Sequence, residues 1–156
     1  MGKKILVAID DSENALRAVN FISESFTHEH QITLFSVIIE TDAICEMNSP
    51  SLTPVFLSQR DTLCALENLK KDLVETALKK GKSILIDAGF RETDVSIKTV
   101  TGKKGVARSI IKEAESGYDA VVLGRRGLKG VKDFFLGSVS LKVLQSAKDI
   151  SVLIID

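Results

Sequence analysis

Hydrophobic residues along the 156-residue chain fall into two kinds of pattern, which together predict alternating strands and helices. Short continuous apolar runs are typical of strands that are buried on both faces of a parallel sheet. Such runs occur at Ile5–Ile9, Ile32–Ile39, Ala120–Leu123 and Val152–Ile155. A fifth segment, Val95–Val100, alternates apolar and polar residues, so we predict an edge strand with one wetter face.

Apolar residues at spacings of three and four predict four helices between these strands. The first follows Ser12, a candidate N-cap, and the second follows Ser58 and continues as a long amphipathic helix. The apolar stripes are Ala15, Leu16, Val19, Ile22 and Phe26 in the first helix, Leu63, Leu66, Leu69, Leu73 and Ala77 in the second, Val106, Ile110, Ile111 and Ala114 in the third, which Gly117 closes, and Leu141, Leu144 and Ala147 in the fourth, which starts near Ser138. This β-α-β-α-β-α-β-α-β order favours a parallel sheet with helices on both faces.

Length and composition narrow the class of protein. A chain of this length suits one domain, residues 1–156, with a sizeable core. Because 21 Lys and Arg balance 21 Asp and Glu, a strongly basic nucleic-acid-binding surface is not expected. The apolar runs fall short of the roughly 18–20 residues that cross a membrane, and the first residues show no signal-peptide pattern, so we predict a cytoplasmic protein. Residues 40–55 hold both prolines and predict a long surface loop of open role.

We predict that most other reactive side chains have no part in a site. The lack of a CxxC motif favours inert thiols over a redox pair, and the lack of a third nearby ligand favours a solvated loop over a histidine metal site. Neighbouring lysines are typical of the solvated face of a helix. The cysteines are Cys45 and Cys64, the histidines are His28 and His30, and the lysines are Lys70, Lys71, Lys79 and Lys80.

Two turns that follow strands are the candidates for a ligand site, since parallel α/β sheets bind ligands at the carboxyl ends of their strands. The first is Asp10–Ser12. The second, Gly124–Ser140, contains four glycines, which let backbone N–H groups approach phosphate oxygens. Its end opens a helix, whose N-terminus favours an anion, and the hydroxyls of Ser138 and Ser140 offer two more donors. Both ends of this loop therefore suit a di- or triphosphate better than a single phosphate.

Positive charge is concentrated in the same part of the chain. Residues 101–142 contain nine basic and four acidic side chains, so the net charge of this segment is +5. Because the whole chain is neutral, the net charge of the remainder is −5. Four of these basic residues and no acidic residue lie in 124–132, namely Arg125, Arg126, Lys129 and Lys132. This distribution predicts one small anionic ligand at one loop.

The spacing Gly124-x2-Gly127-x9-Gly137-Ser138, after a buried strand and before a helix, resembles the nucleotide-binding signature of the ATP-binding branch of the universal stress protein family. The resemblance extends over the whole chain, with the Asp10-Asp11-Ser12 turn, a second strand that ends Ser36-Val37-Ile38 and a short apolar last strand. With it we predict an open, doubly wound, Rossmann-like sheet of five parallel strands in the order 3-2-1-4-5, covered by helices on both faces. Two departures from the family pattern are Ser151, where many members have proline, and Asp11, where many have glycine.

The resemblance implies that the chain binds ATP together with Mg²⁺ or Mn²⁺. Asp10 would lie beside the nucleotide and approach the cation or the ribose, and the backbone around Val37 would hold the adenine. The two glycine-rich segments would surround the ribose and the phosphates. The implied nucleotide-binding residues are Ile9, Asp10, Ser36, Val37, Gly124, Arg125, Arg126, Gly127, Gly137, Ser138, Val139 and Ser140. The family also implies a homodimer that pairs through the final strand, Ile150–Ile155.

We therefore predict a nucleotide-dependent switch or sensor of the stress response, with slow hydrolysis or autophosphorylation at most and with an unidentified protein partner. The alternatives are a dimeric interaction module of the same fold that does not depend on a nucleotide, and an enzyme that consumes ATP. A response-regulator receiver domain is excluded, because the third strand ends in Val100-Thr101-Gly102 without a phosphoacceptor aspartate and the fifth ends at Asp156 without a lysine. A Walker A loop is also absent from the sequence.

Overall fold

The computed structural model describes residues 1–12, 14–125 and 136–156, in which strands and helices alternate along the chain. The strands are β1 (Lys4–Ala8), β2 (Gln31–Ile39), β3 (Val95–Gly102), β4 (Ala120–Gly124) and β5 (Ser151–Ile155). The helices are α1 (Ala15–Ser25), α2 (Asp42–Cys45), α3 (Pro54–Asp87), α4 (Val106–Ala114) and α5 (Ser138–Ser146), and a 3₁₀ turn at Glu92–Asp94 leads into β3. All five predicted strands are therefore present.

The five strands form one parallel sheet in the order β3-β2-β1-β4-β5, which confirms the predicted fold. β1 lies in the centre, where Ile5 is paired with Ile32 of β2 on one side and with Ala120 of β4 on the other. β3 is an edge strand, as its alternating pattern predicts. The chain thus winds outward in one direction from β1 to β3 and in the other from β4 to β5, and the reversal falls between β1 and β4.

Each face of the sheet has its own hydrophobic core, which explains the continuous apolar runs. Alternate residues of β1 point to opposite faces, so Ile5 and Val7 pack with α1 and α3, whereas Leu6 packs with α4 and α5. All three side chains are at most 2% exposed. A strand covered by helices on both sides has no solvent face, and its sequence therefore lacks polar alternation.

Two helices begin at residues other than those predicted. The N-cap of α1 is Asn14, not Ser12, because the Ser12 hydroxyl donates to the Asp10 carboxylate instead of capping the helix. The long helix α3 begins four residues before Ser58, where the Thr53 hydroxyl accepts a hydrogen bond from the Phe56 N–H at 3.2 Å and Pro54 occupies the first helical position. The predicted loop at 40–55 is consequently shorter and contains α2.

The leucines of α3 and α5 do not face the core as their spacing predicts. Leu66 and Leu73 of α3 are 52% and 48% exposed, and Leu141 and Leu144 of α5 are 42% and 46% exposed. The buried side of α5 holds Ser140 and Val143, which places the helix about one residue away from the predicted rotation. The reason lies in the Ser140 hydroxyl, which donates to the Gly124 carbonyl at 2.8 Å and so turns this side of the helix toward the sheet.

The two cysteines form a disulfide, so the prediction of unpaired, inert thiols is wrong. Cys45 at the end of α2 is bonded to Cys64 in α3, with 5.9 Å between their Cα atoms. The spacing of 19 residues matches no redox motif, and the two residues meet because α3 folds back beside α2. α3 is 34 residues long, yet among the described residues no helix is both long and apolar enough to span a membrane.

Candidate nucleotide-binding site

A cavity of about 640 Å³ opens at the carboxyl edge of the sheet, at the point where the winding reverses. The ends of β1, β2 and β4, the beginning of α5 and one side of α3 form its walls. Its volume is in the range of pockets that hold small molecules. Nine of the twelve predicted site residues line it: Ile9, Asp10, Ser36, Val37, Gly124, Gly137, Ser138, Val139 and Ser140.

The turn after β1 holds an aspartate at the cavity in a defined orientation. Ile9 is buried, and its N–H donates to the Phe35 carbonyl at 2.7 Å, which ties this turn to β2. Asp10 is exposed, and its Oδ1 accepts hydrogen bonds from the N–H of Ser12, at 2.9 Å, and from the Ser12 hydroxyl. The Asp10 carboxylate therefore faces the cavity with one oxygen already held by its own turn.

The end of β2 forms the second wall, and its width depends on a glycine in β3. Ser36 is buried and Val37 is partly buried. A Cβ atom added at Gly102 would lie 2.5 Å from Cγ1 of Val37 and 3.1 Å from Oγ of Ser109. A larger residue at position 102 would thus displace Val37, the residue beside which adenine is expected.

The first turn of α5 lies at the cavity, where the glycine pattern predicts an anion-binding backbone. The Gly137 N–H donates to the Arg125 carbonyl at 2.9 Å, so the N–H groups available at the helix N-terminus are those of the next residues. Ser138 is exposed at the cavity and keeps its hydroxyl near this N-terminus. Ser140 is buried, and its hydroxyl donates a hydrogen bond to the Gly124 carbonyl. Of the two hydroxyls proposed as donors to a ligand, Ser140 instead joins α5 to β4.

The arginine pair is only partly described, and its described member turns away from the cavity. Arg125 Nη1 lies 3.2 Å from the Asp156 carboxylate, and the Arg125 N–H donates to the Ile155 carbonyl at 2.7 Å. Arg125 does not line the cavity. Arg126 and Gly127 lie outside the described residues. In the part of the chain that the structure describes, Arg125 thus stabilises the C-terminal end of β5.

Helix α3 provides a wall of the cavity that the sequence interpretation missed. Glu67, Lys70, Lys71 and Val74 line the cavity, whereas both lysines were predicted to belong to a solvated face. Lys70 Nζ lies 3.2 Å from the Glu67 carboxylate, and Lys71 Nζ lies 3.7 Å from that of Asp42. A signal in the sequence could have identified this wall. Spacings of three, four and three residues connect Cys64, Glu67, Lys71 and Val74, and this stripe continues to the buried Leu78.

The acidic side chains at the cavity suit a cation that is held mainly by phosphates. Asp10 and Asp11 both line the cavity, and Mg²⁺ is commonly bound by one or two carboxylates together with substrate phosphates. No group of three or more potential metal ligands occurs within the described ranges. His28 packs against Phe90, with 4.9 Å between ring centroids, and His30 Nδ1 accepts a hydrogen bond from the Lys3 N–H at 3.2 Å. Both histidines thus have structural contacts.

The chain belongs to the universal stress protein family, whose family model matches residues 1–156. It is 30% identical over 148 residues to the universal stress protein YxiE of Bacillus subtilis, with 93% of each chain covered. It is 28% identical over 152 residues to the universal stress protein MJ0577 of Methanocaldococcus jannaschii, covering 94% of this chain and 91% of the relative.

Solved structures show the same architecture. The structure of MJ0577 superposes with a TM-score of 0.64 and covers 99% of this chain and 96% of its own. A universal stress protein solved in complex with cAMP superposes with a TM-score of 0.60 at 18% identity, covering 99% of this chain and 97% of its own. At that identity the second likeness shows the fold alone.

Proposed function

We propose that this protein binds ATP and acts as a nucleotide-dependent switch or sensor in the stress response. The observation that carries the proposal is the cavity at the winding reversal, where the turn after β1, the end of β2 and the N-terminus of α5 meet. This is the place at which doubly wound sheets bind nucleotides. The glycine spacing that places the chain near the ATP-binding branch of its family lies on the same cavity, at Gly124 and Gly137.

Each part of the nucleotide has a proposed contact. Adenine would lie against the end of β2, where Ser36 and Val37 line the cavity. The phosphates would approach the N–H groups at the start of α5 and the Ser138 hydroxyl. Asp10 would approach a Mg²⁺ or Mn²⁺ ion that the phosphates hold. A universal stress protein that shares this fold has been solved in complex with cAMP, which is also an adenine nucleotide.

We propose a switch with slow hydrolysis at most, because rapid phosphoryl transfer needs a positioned water and strong charge stabilisation at the γ-phosphate. The described carboxylates at the cavity are those of Asp10, Asp11 and Glu67. Of these, Asp10 is engaged by Ser12, and Glu67 is paired with Lys70. Two of the three described carboxylates at the cavity therefore already have partners within the protein.

The assembly and the location of the protein are further parts of the proposal. Among the described residues β5 pairs with β4 alone, so its other edge is placed to pair with a second copy of the chain. The homodimer through residues 150–155 would have twice the 17.0 kDa mass of one chain. A cytoplasmic location and an unidentified protein partner also remain predictions of the sequence and the family.

The proposal is tested by nucleotide content and by binding. Acid extraction of the purified protein should release an adenine nucleotide, and calorimetric titration with ATP and Mg²⁺ should show saturable binding. Ser138→Asp should lower ATP affinity about tenfold or more, because a carboxylate there repels the phosphates by a few kcal/mol. Aspartate at a helix N-terminus does not destabilise the helix, so the variant should fold.

Ser146→Asp is the matched control, since it makes the same change of charge at the exposed far end of α5. Its affinity for ATP should equal that of the wild type. If the protein carries no nucleotide and shows no binding at millimolar ATP, the interaction module without a nucleotide becomes the better assignment. Steady turnover of many ATP molecules per chain would instead identify an ATP-consuming enzyme.

A further inference from the structure

A short segment that follows Ile39, a residue at the cavity, is attached to helix α3 by a covalent bond and by polar contacts. This segment, residues 40–53, is called the strap below, and it runs from the end of β2 to the start of α3. The Cys45–Cys64 disulfide joins it to α3. Lys71 pairs with Asp42 at 3.7 Å, and the Arg60 guanidinium donates to the Met47 carbonyl. The strap is thus attached to the side of α3 that faces the cavity.

The disulfide is a principal attachment of the part of α3 that precedes Leu78. The buried residues of α3 are Leu78, Gly81 and Leu85, which all lie in its C-terminal third. In the turns before them, Cys64, Glu67 and Lys71 share one face at spacings of three and four residues, and the last two line the cavity. The same bond therefore holds both the strap and the charged wall of the site.

The bond is accessible to thiol chemistry. Both cysteines are only partly buried, and the strap around Cys45 is largely exposed. A dithiol reductant can attack one sulfur as a thiolate, which forms a mixed disulfide and releases the other cysteine as a thiolate. Its second thiol then resolves the mixed disulfide, so that two cysteine thiols form and the reductant leaves as a disulfide, with two electrons transferred.

We propose that Cys45–Cys64 is a redox-responsive site that sets the nucleotide affinity of the cavity, with a cellular dithiol as the reductant class. In the oxidised protein the strap holds Glu67, Lys70 and Lys71 at the wall of the site. Reduction leaves the ion pair of Asp42 and the hydrogen bond of Arg60, both at exposed or partly exposed positions, where such contacts are weak. The strap and the first turns of α3 then separate, and the ligand loses a preorganised wall.

Hydrogen exchange measures the release of the strap without any ligand. Treatment with dithiothreitol should raise amide exchange in residues 42–66 by about tenfold or more and leave β1 unchanged, because the strap opens locally. Cys45→Ser/Cys64→Ser should exchange like the reduced wild type and should not respond to dithiothreitol. Equal exchange of the oxidised and reduced proteins in residues 42–66 would overturn the inference.

ATP titration measures the effect on the site, and this arm rests on the proposed function. Reduction should weaken ATP binding by roughly five- to tenfold, a common size for the coupling between two sites. The double serine variant should bind with the reduced affinity under both conditions. Equal or tighter binding by the reduced protein overturns this inference alone, whereas a lack of ATP binding in both forms overturns the proposed function as well.

Discussion

At the scale of single residues, several polar groups at the cavity are used by the protein itself. The Ser140 hydroxyl is bonded to the Gly124 carbonyl, and Ser12 holds one oxygen of Asp10. A buried hydroxyl without a partner would be costly, so such groups find the nearest backbone acceptor or carboxylate. Among the described residues, the groups left for a ligand include the backbone N–H at the start of α5, the exposed Ser138 and the side of Asp10 that faces the cavity.

Gly102→Ala is expected to damage both stability and binding. The added Cβ would lie 2.5 Å from Val37 Cγ1, and a β-branched side chain packed in a sheet cannot move away cheaply. We expect the free energy of unfolding to fall by about 1–3 kcal/mol, as for other overpacked sites. Urea denaturation measures the change, and ATP titration should show weaker binding because Val37 is displaced at the proposed adenine position.

Thr101→Ala serves as the comparison, since Thr101 is exposed on the same strand and its loss should change stability by no more than about 0.5 kcal/mol. Unchanged stability of Gly102→Ala would mean that the space beside Val37 is not limiting.

At the scale of elements, α3 shows how a helix can begin as a wall and end as part of the core. Its C-terminal third packs on α1 and the sheet, where Gly81 lies against Leu34 and Val19. The turns before this third have charged side chains at the cavity and exposed leucines on another side. Leucine spacing alone therefore predicts a helix correctly and its buried face incorrectly.

Two alanine substitutions in this helix should differ in their effect. Leu78 is 2% exposed in the core, so Leu78→Ala should lower the free energy of unfolding by about 2–5 kcal/mol. Leu66 is 52% exposed, so Leu66→Ala should change it by no more than about 0.5 kcal/mol. Chemical denaturation of both variants provides the comparison. A large loss for Leu66→Ala would show that the leucine side of α3 is covered in solution.

At the scale of the whole molecule, Asp119 joins the two halves of the winding. Its Oδ2 accepts a hydrogen bond from the Lys4 N–H at 2.8 Å, and its own N–H donates to the Lys4 carbonyl at 2.8 Å. Lys3 Nζ lies 3.3 Å from the same carboxylate. The start of β1 and the approach to β4 are thus fastened at the edge of the sheet opposite the cavity.

These contacts predict a dependence of stability on pH. The hydrogen bond from the Lys4 N–H, with help from Lys3, lowers the pKa of Asp119 below its ordinary value of 3.8 against the opposing effect of desolvation. A lowered pKa in the folded state means that the stabilisation is present above the unfolded value and is lost as pH falls through the folded value. Asp119→Asn should therefore show a smaller loss of stability than the wild type between about pH 5 and about pH 2. Thermal melts across this range measure it, and equal slopes would contradict the assignment.

Much of the architecture could be predicted because it depends on local pattern. The unbroken apolar run at 5–9 already requires cover on both faces, and alternation with helical segments requires parallel strands. The glycines at 124 and 137 predicted the loop at the candidate site for a similar reason, since close approach of the backbone to a ligand favours a residue without a Cβ atom. These features depend on local backbone geometry, which a short segment of sequence determines by itself.

The sequence by itself determined the class of fold, the order of its elements and the edge of the sheet where the candidate site lies. The tertiary structure decided which side chains reach that edge. It brought Lys70 and Lys71 of α3 to the cavity, turned Arg125 toward Asp156 and joined Cys45 to Cys64. Each of these three arrangements either joins residues that are distant along the chain or depends on the rotation of a helix about its axis. Periodicity fixes the existence of a helix, but contacts made elsewhere in the fold fix the direction in which its side chains point.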